Sequence, residues 1–498
     1  MNEWAELDRA LGAMAASGQV EVREDGEWLA ELAGLHCELR SQGKNSLVHL
    51  WSDERSVTRR VLCVREQSED RIILEVQRFG RAKPGRIEFL RADSPRSAAR
   101  ITREQFRSRF RRILSERFPD AHIGSLTASP DLQRSFSGWY ARGLMREGSR
   151  AHAVMAIAPG ESTAALEAML AYGIIWLDWT RSRAQGQAIE GLRLFVPKGG
   201  AKLLRERTAG LCDSAHTEIF EYIESDWWMQ KVDLADAGNL ESWLVPRRDS
   251  ESVLQSAYEA ARRISTLARV VDDPTGAVRL RVLAGAKEVA FCFRGLEFAR
   301  WSKEGMKFGL GDAQEFLTSV KEPALERLIR RLELHRSPLA SETTHRLYRF
   351  APERWLEALL QGDCTRLDAQ LDPQYLYSQV PALAGGDRGI LDLLGVTRRG
   401  RLVVVELKAS EDIQLPLQSV DYWLRVRRHQ RDGDFERYGY FPGVTLDPKP
   451  PLVWLAAPAL QFHPKTETLL KYLSPEISVT RIGLNESWRR GLKMMFRQ

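Results

Sequence analysis

The spacing of apolar residues divides the chain into alternating helical and extended stretches. Trp4, Leu7, Leu11 and Met14 recur at helical intervals and predict a short helix over 1–18. From about 45 to 91 the period is that of strands: 46–51, 60–64, 71–76 and 86–90 are short, β-rich and separated by turn residues. A basic helix over 103–117 follows, with Phe106, Phe110, Ile113, Leu114 and Phe118 at helical spacing, then a loop with Pro119 and Pro130. Next come a strand 151–158, a long helix 163–181, a strand 191–196, a helix near 199–208 and a strand 216–222. The stretch 224–252 holds Trp227, Trp228 and Trp243 among acidic residues and reads as a connector. A helix over 252–270, a turn at 272–276, strands at 278–283, 288–293, 297–301 and 306–310, and helical spacing over 313–334 complete the middle. The last stretch, 350–498, reads helix, strand, strand, helix, strand, helix, strand.

This alternation predicts a mixed α/β (α+β) protein of several domains, since the 498 residues far exceed the roughly 150 of an ordinary domain. The expected division is 1–98, a helix with a β module; 99–225, an α/β domain; 226–349, a connector with a second β/helical module; and 350–498, a second α/β domain.

Composition mainly excludes. With 43% apolar and 28% charged residues the chain is globular. The best apolar run, 171–177, ends at Asp178, well short of the roughly 18 residues of a membrane span. Glu3, Glu6, Asp8 and Arg9 argue against a secretory leader. Five scattered cysteines without a C-x-x-C pair exclude a disulfide framework and a zinc ribbon, and a reducing cytoplasm is the expected location. Nine histidines show no ligand spacing, and no phosphate-binding glycine loop is present. The net charge of +6 permits an anionic partner. Arginine is concentrated at Arg398, Arg399 and Arg401, and again at Arg425, Arg427, Arg428 and Arg431.

The residues that point to chemistry lie in 389–408. Two apolar runs flank Thr397-Arg-Arg-Gly-Arg401, which is a hairpin signature with Gly400 at the left-handed position of a three-residue loop. Counting outward from that loop sets Asp392 opposite Glu406, with Cβ atoms about 5 Å apart. Lys408 projects from the same face as Glu406. Both strands are otherwise apolar, and unpaired charge on a buried hairpin costs several kcal/mol. A hard divalent cation, Mg²⁺ or Mn²⁺, relieves the repulsion of two close carboxylates. It also acidifies bound water and neutralises charge developing on phosphorus. Downstream, Gln418 and Tyr422 share one helical face. Upstream, Glu353 and Glu357 share another, in a helix opened by Pro352.

Taken together, Gly-Ile-Leu-Asp392, Glu406-Leu-Lys408 and Gln418-x-x-x-Tyr422 resemble the PD-(D/E)xK nuclease superfamily, most closely the NucS-type and RecB-type nuclease domains. The resemblance covers about 350–483. It implies a restriction-endonuclease-like αβββαβ core, with Asp392 and Glu406 as metal ligands and Lys408 as the catalytic lysine. Gln418 and Tyr422 would support the substrate, and Glu353 or Glu357 would be the acidic residue of the first helix. The superfamily's proline is replaced by Leu391. The expected activity is metal-dependent hydrolysis of phosphodiester bonds, DNA favoured over RNA, with no membrane partner. Arg398, Arg399, Arg401, Arg425, Arg427 and Arg428 become candidate phosphate contacts. A non-catalytic nucleic-acid-binding or scaffolding protein is the alternative. Trp227 and Trp228 are the tryptophans considered for base stacking.

The chain also resembles itself. Residues 142–172 lie over 388–422, and each segment follows a β-meander, 61–90 and 279–310. In the first segment Arg146, Ala156, Ala158 and Ala168 take the places of Asp392, Glu406, Lys408 and Gln418, so a metal-free, degenerate copy is expected there.

Overall fold

The computed structural model describes residues 3–498 except 17–19, 26, 32–35, 43–44, 52–55, 69–70, 78–83, 92–94, 132, 185, 225–227, 236–241, 245, 248–249, 284–286, 312, 382 and 385–389. The chain divides into two compact units, Met1–Ala201 with Thr217–Val232, and Lys202–His216 with Asp233–Gln498.

The first unit opens with the helix Glu3–Ala16, whose Leu7, Leu11 and Met14 bury against Val22, Val48, Ile72, Leu74 and Phe89 of an antiparallel sheet. Five strands of that sheet (His36–Gln42, Asn45–Trp51, Ser56–Gln67, Arg71–Gln77, Gly85–Arg91) form an up-and-down meander. The hairpin Val20–Glu24/Glu27–Glu31 extends it beside Gly85–Arg91. The hairpin and the strand His36–Gln42 were not expected. Their runs, Glu-Trp-Leu-Ala-Glu and His-Cys-Glu-Leu-Arg-Ser-Gln, carry too few apolar residues to show a strand period.

A second sheet follows the helix Pro95–Arg117. His122–Ile123, Tyr140–Glu147 and Arg150–Ile157 pair antiparallel. The helix Thr163–Arg183, capped by the Ser162 side chain on the Ala165 N–H, crosses over to the parallel strands Ile189–Pro197 and Thr217–Ile223. Trp228–Lys231 closes the edge antiparallel. Trp228 therefore belongs to a strand rather than a connector, and Trp227 lies outside the described residues.

In the second unit the expected helix 252–270 is two, Ser250–Arg262 and Ser265–Val271, because Ile264 is extended (φ −109°, ψ 112°). They pack on a five-strand meander, Val278–Val282 through Glu315–Phe316. The helical spacing read from 313 begins only at Glu322–His335, where Pro323 occupies the first turn. Arg336, fully buried, then donates to the carbonyls of Arg294, Leu347, Phe350 and Ala351 and lies 4.9 Å over the Trp355 ring. This fixes the chain where Ala351, left-handed at φ 42°, starts the helix Pro352–Gly362.

The final sheet has Leu371–Pro381, Ile390–Thr397 and Leu402–Leu407 paired antiparallel. The helix Leu415–Arg431 then leads to the parallel strands Leu452–Pro458 and Ser478–Leu484, with Met494–Arg497 antiparallel at the edge. Leu371–Pro381 escaped the sequence pattern because Asp372-Pro373-Gln374 interrupts it and the pairing is irregular between Leu371 and Leu376. Apart from the two-residue strand Leu383–Ala384, which pairs outside this sheet, and the short helix Asp434–Arg437, the order from 352 to 458 is helix, three strands, helix, strand. The second sheet of the first unit has the same strand order and the same alternation of antiparallel and parallel pairs.

Residues 202–216 do not stay with the domain that precedes them. The helix Lys202–Thr208 packs on Leu415–Arg431, and Leu211 pairs antiparallel with Leu473. Reciprocal bonds run from Cys212 N to Tyr472 O (2.9 Å) and from Ser474 N to Gly210 O (2.8 Å). Among the described residues, no helix is long and apolar enough to cross a membrane.

Candidate active site

The hairpin that carries the carboxylates closes as its residues dictate. Thr397 N bonds Arg401 O and Gly400 N bonds Thr397 O, both at 2.8 Å, so the loop is Arg398, Arg399 and Gly400. Gly400 has φ 82°, and a Cβ there would lie 2.1 Å from the Thr445 carbonyl. The register Leu394↔Val404 and Leu393↔Val405, carried one residue further, sets Asp392 against Glu406. Alternation then sorts the faces. Val403, Val405 and Leu407 pack with Trp355, Leu356 and Leu360 of the first helix. Leu394, Val404 and Val426 pack together on the other face, where Asp392 and Glu406 also point, with Tyr422 against them. Gly389, the start of the motif, lies outside the described residues.

Glu406 is 2% exposed. Its Oε1 stands 3.3 Å from Lys408 Nζ, and its buried Oε2 has no hydrogen-bond partner among the described residues. Burial, and then Asp392, hold its carboxyl well above the usual range. Asp392 is raised by burial too, against the Leu407 N–H that it accepts at 3.0 Å and the charge of Lys408. Burial works against the Lys408 ammonium, but Glu406, Asp412 and Asp392 outweigh it and raise its pKa. Asp412, with an oxygen 3.6 Å from Lys408 Nζ, is a member the sequence reading missed. Its one signal is the i,i+4 spacing to the lysine.

The helix residues join unequally. Tyr422 lies close enough for burial, then Glu406 and Asp392, to push its phenol far up. Gln418 Oε1 is buried without a partner among the described residues. Glu353 Oε1 accepts from Ala409 N at 3.2 Å, which ties the first helix to the end of the Glu406 strand. Glu357 is buried, 3.0 Å from Arg354 Nη1, and is pushed up to about 7 by burial, against Arg354 and with Asp392.

The arginine clusters are further away or otherwise engaged. Arg398 and Arg399 are exposed at the hairpin tip, five or more residues and roughly 17 Å along the strands from the carboxylates. Arg401 Nε is held by Pro450 O at 3.0 Å. Arg427 Nη1 bonds Gln430 and Pro448 O. Arg425 is 7% exposed and faces Glu206 at 3.7 Å, so it is an internal ion-pair residue rather than a surface contact for phosphate. Arg428 is half-buried.

The corresponding place in the first unit differs from the expected one. Arg146 pairs with Ala151 beside the hairpin turn, and Ala156 packs with Phe106 and Phe110 of the preceding helix. Arg146 is on the same strand face as Arg142 but four residues nearer the turn, and Ala156 is on the face away from the crossover helix, so neither takes the place expected of it. Pro197 and Pro458 both end their strands, and matching them aligns Phe195 with Ala456 and their partners Ala156 with Leu407. Met155 then stands at Glu406, Ile157 at Lys408, and Arg142, opposite Met155, at Asp392. Arg142 is 4% exposed, donates to Ser129 O (2.5 Å) and Ser137 O (3.3 Å), and lies 4.7 Å from the Phe136 ring. Burial pushes it down to about 10.

Among the described residues no cluster of three or more His, Cys, Asp or Glu side chains is placed to hold a metal. The donors available at the hairpin are two carboxylates, which is the number Mg²⁺ commonly takes from protein. No known protein family matches the chain, and no curated protein is significantly similar to it.

Proposed function

We propose that residues 350–498 are a divalent-metal-dependent nuclease domain of restriction-endonuclease-like type, hydrolysing phosphodiester bonds with DNA favoured. The second sheet of the first unit is read as a copy that has lost the metal ligands, Arg142 and Met155 replacing Asp392 and Glu406. The observation that carries the reading is the Oε2 of Glu406, without a hydrogen-bond partner among the described residues and buried opposite Asp392, with an ammonium 3.3 Å from its sister oxygen. A cation is the partner that such an atom lacks.

Asp392 and Glu406 would hold Mg²⁺ or Mn²⁺, which when bound supplies Lewis acidity at the phosphate and an acidified water. Lys408, kept protonated by three carboxylates, places a fixed positive charge where charge accumulates on the phosphoryl oxygens. Tyr422 keeps its proton and can donate a hydrogen bond on the same face. Glu353 fixes the backbone just beyond Lys408.

The test is a cleavage assay with Mg²⁺ or Mn²⁺ on labelled single-stranded, duplex, branched and RNA substrates. Asp392→Ala, Glu406→Ala and Lys408→Ala should each abolish cleavage and leave binding intact. Charge reversal at Arg398 and Arg399 should flatten the salt dependence of binding. Full activity in Glu406→Ala ends the assignment. Nucleic-acid binding without any cleavage by the native chain would favour the non-catalytic alternative.

A further inference from the structure

A second concentration of charge lies in the second unit, outside the carboxylate hairpin. A small pocket open to solvent is lined by Arg279, Arg281, Cys292, Gly295, Arg354 and Glu357. Its walls are the first two strands of the five-strand meander and the helix Pro352–Gly362. The turn Arg294–Gly295, left-handed at φ 45° and 80°, seats them closely: a Cβ on Gly295 would come within 1.9 Å of the Arg354 carbonyl oxygen. At the other end Gly362 leaves room for Arg279, whose Nη2 would lie 2.8 Å from a Cβ there.

Three guanidinium groups meet one carboxylate in this pocket. Glu357 is engaged by Arg354 at 3.0 Å. Glu297, 3.8 Å from Arg281 Nη2, is already held at 2.8 Å by Arg300 and by Gln314. Arg281 Nε is buried with no hydrogen-bond partner among the described residues. Half-buried Arg279 has no partner among the described residues, and burial alone acts on its charge. Cations held without counter-charge in partial burial are costly, and an arginine fork fits a tetrahedral oxyanion through two parallel N–H bonds. Even with Glu357 ionised, the lining side chains leave two positive charges. A dianion balances that excess, and a single carboxylate does not.

We propose that this pocket binds the phosphate group of a phosphate monoester, with Arg279, Arg281 and Arg354 as its cations, at a site separate from Asp392 and Glu406. The monoester can be a free nucleotide or the phosphorylated end of a polynucleotide, and both present the same dianionic group. The proposal does not depend on the nuclease reading.

Isothermal titration of the full chain in EDTA against inorganic phosphate tests it. Deoxyadenosine monophosphate and a pair of oligonucleotides differing only in a 5′-phosphate or 5′-hydroxyl are the further arms. Phosphate and the monophosphate should bind. Arg279→Ala should weaken binding at least about tenfold, the scale of one lost charge-assisted contact. Gly362→Leu, which keeps every charge and fills the space of the Arg279 guanidinium, should do the same while melting as the native chain does. Glu406→Ala should bind unchanged. A preference for the 5′-phosphorylated oligonucleotide that Arg279→Ala removes assigns the site to polynucleotide ends; equal binding of the two assigns it to free nucleotides. No phosphate binding by the native chain overturns the proposal. So does equal affinity in Arg279→Ala and Gly362→Leu, or a loss confined to Glu406→Ala.

Discussion

Lys408 Nζ stands 3.3 Å from one carboxylate oxygen of Glu406 and leaves the other, buried, with no hydrogen-bond partner among the described residues. The lysine can satisfy only part of a charge that burial and Asp392 already oppose. Without metal, then, this pair strains the fold. Glu406→Gln should add stability in EDTA, on the order of 1–2 kcal/mol, and so raise the thermal midpoint. Mg²⁺ should stabilise the native chain by about 2.7 kcal/mol at a hundredfold excess over its dissociation constant, and raise its midpoint accordingly. It should leave Glu406→Gln unmoved. Differential scanning calorimetry with and without Mg²⁺ reads both; an equal Mg²⁺ shift in the two proteins would place the cation elsewhere.

Glu357 gives the metal-free protein a pH dependence. Its carboxyl is pushed up to about 7 from 4.5, by burial first. A carboxyl that holds its proton more tightly folded than unfolded supports stability below the unfolded pKa and loses that support as pH rises through the folded one. The loss therefore falls between 4.5 and about 7, at 1.36 kcal/mol per unit and roughly 3 kcal/mol in all. Urea midpoints in EDTA at about pH 5 and about pH 8 should show this decline, and Glu357→Gln should make it smaller, leaving the part that Glu406, Asp392 and Asp421, also raised by burial, contribute. A native curve that rises with pH over this window would be the contrary result.

Arg207 carries much of the seating of residues 202–216. Its Nε lies 3.0 and 2.9 Å from the two oxygens of Asp421, whose carboxyl is raised by burial and held down by Arg207. Arg207→Ala should cost about 3 kcal/mol, because it leaves a largely buried carboxylate with Arg425, itself facing Glu206, as the nearby cation. Asp421→Asn added to it should recover part of that loss. A denaturant double-mutant cycle measures the coupling, and simple additivity of the two changes would deny it.

The hairpin was legible in the sequence because two local rules agree. A three-residue loop asks for a left-handed third position, Gly400 supplies it, and period-two alternation then fixes Asp392 against Glu406. The first copy misled for the same local reason. Its hairpin closes through Gly148 and Ser149, between the paired Glu147 and Arg150, one residue shorter than 398–400. Similarity read along the chain therefore put Ala156 one residue off, where Met155 stands, while laying Arg142-Gly over Arg388-Gly put Arg146 four residues from Arg142, which stands at Asp392. Arg425 looked like a surface cation because a helix of alternating arginines does not declare which face is covered. Its cover is Glu206, more than two hundred residues earlier. The polar strand His36–Gln42 and the interrupted Leu371–Pro381 lacked the period that a sequence reading needs.

The distant partners of residues 202–216 have a consequence for synthesis. Arg207 and Asp421 are separated by 214 positions. At roughly 5–20 residues per second, about 10–40 seconds pass on the ribosome between the two. Through that interval Arg207 and Leu211 have left the exit tunnel, while Asp421 and Leu473, to which they bind, have not been made. The segment is translated with the first unit and folds with the second, so its packing is completed only after residues 421–473 have been made.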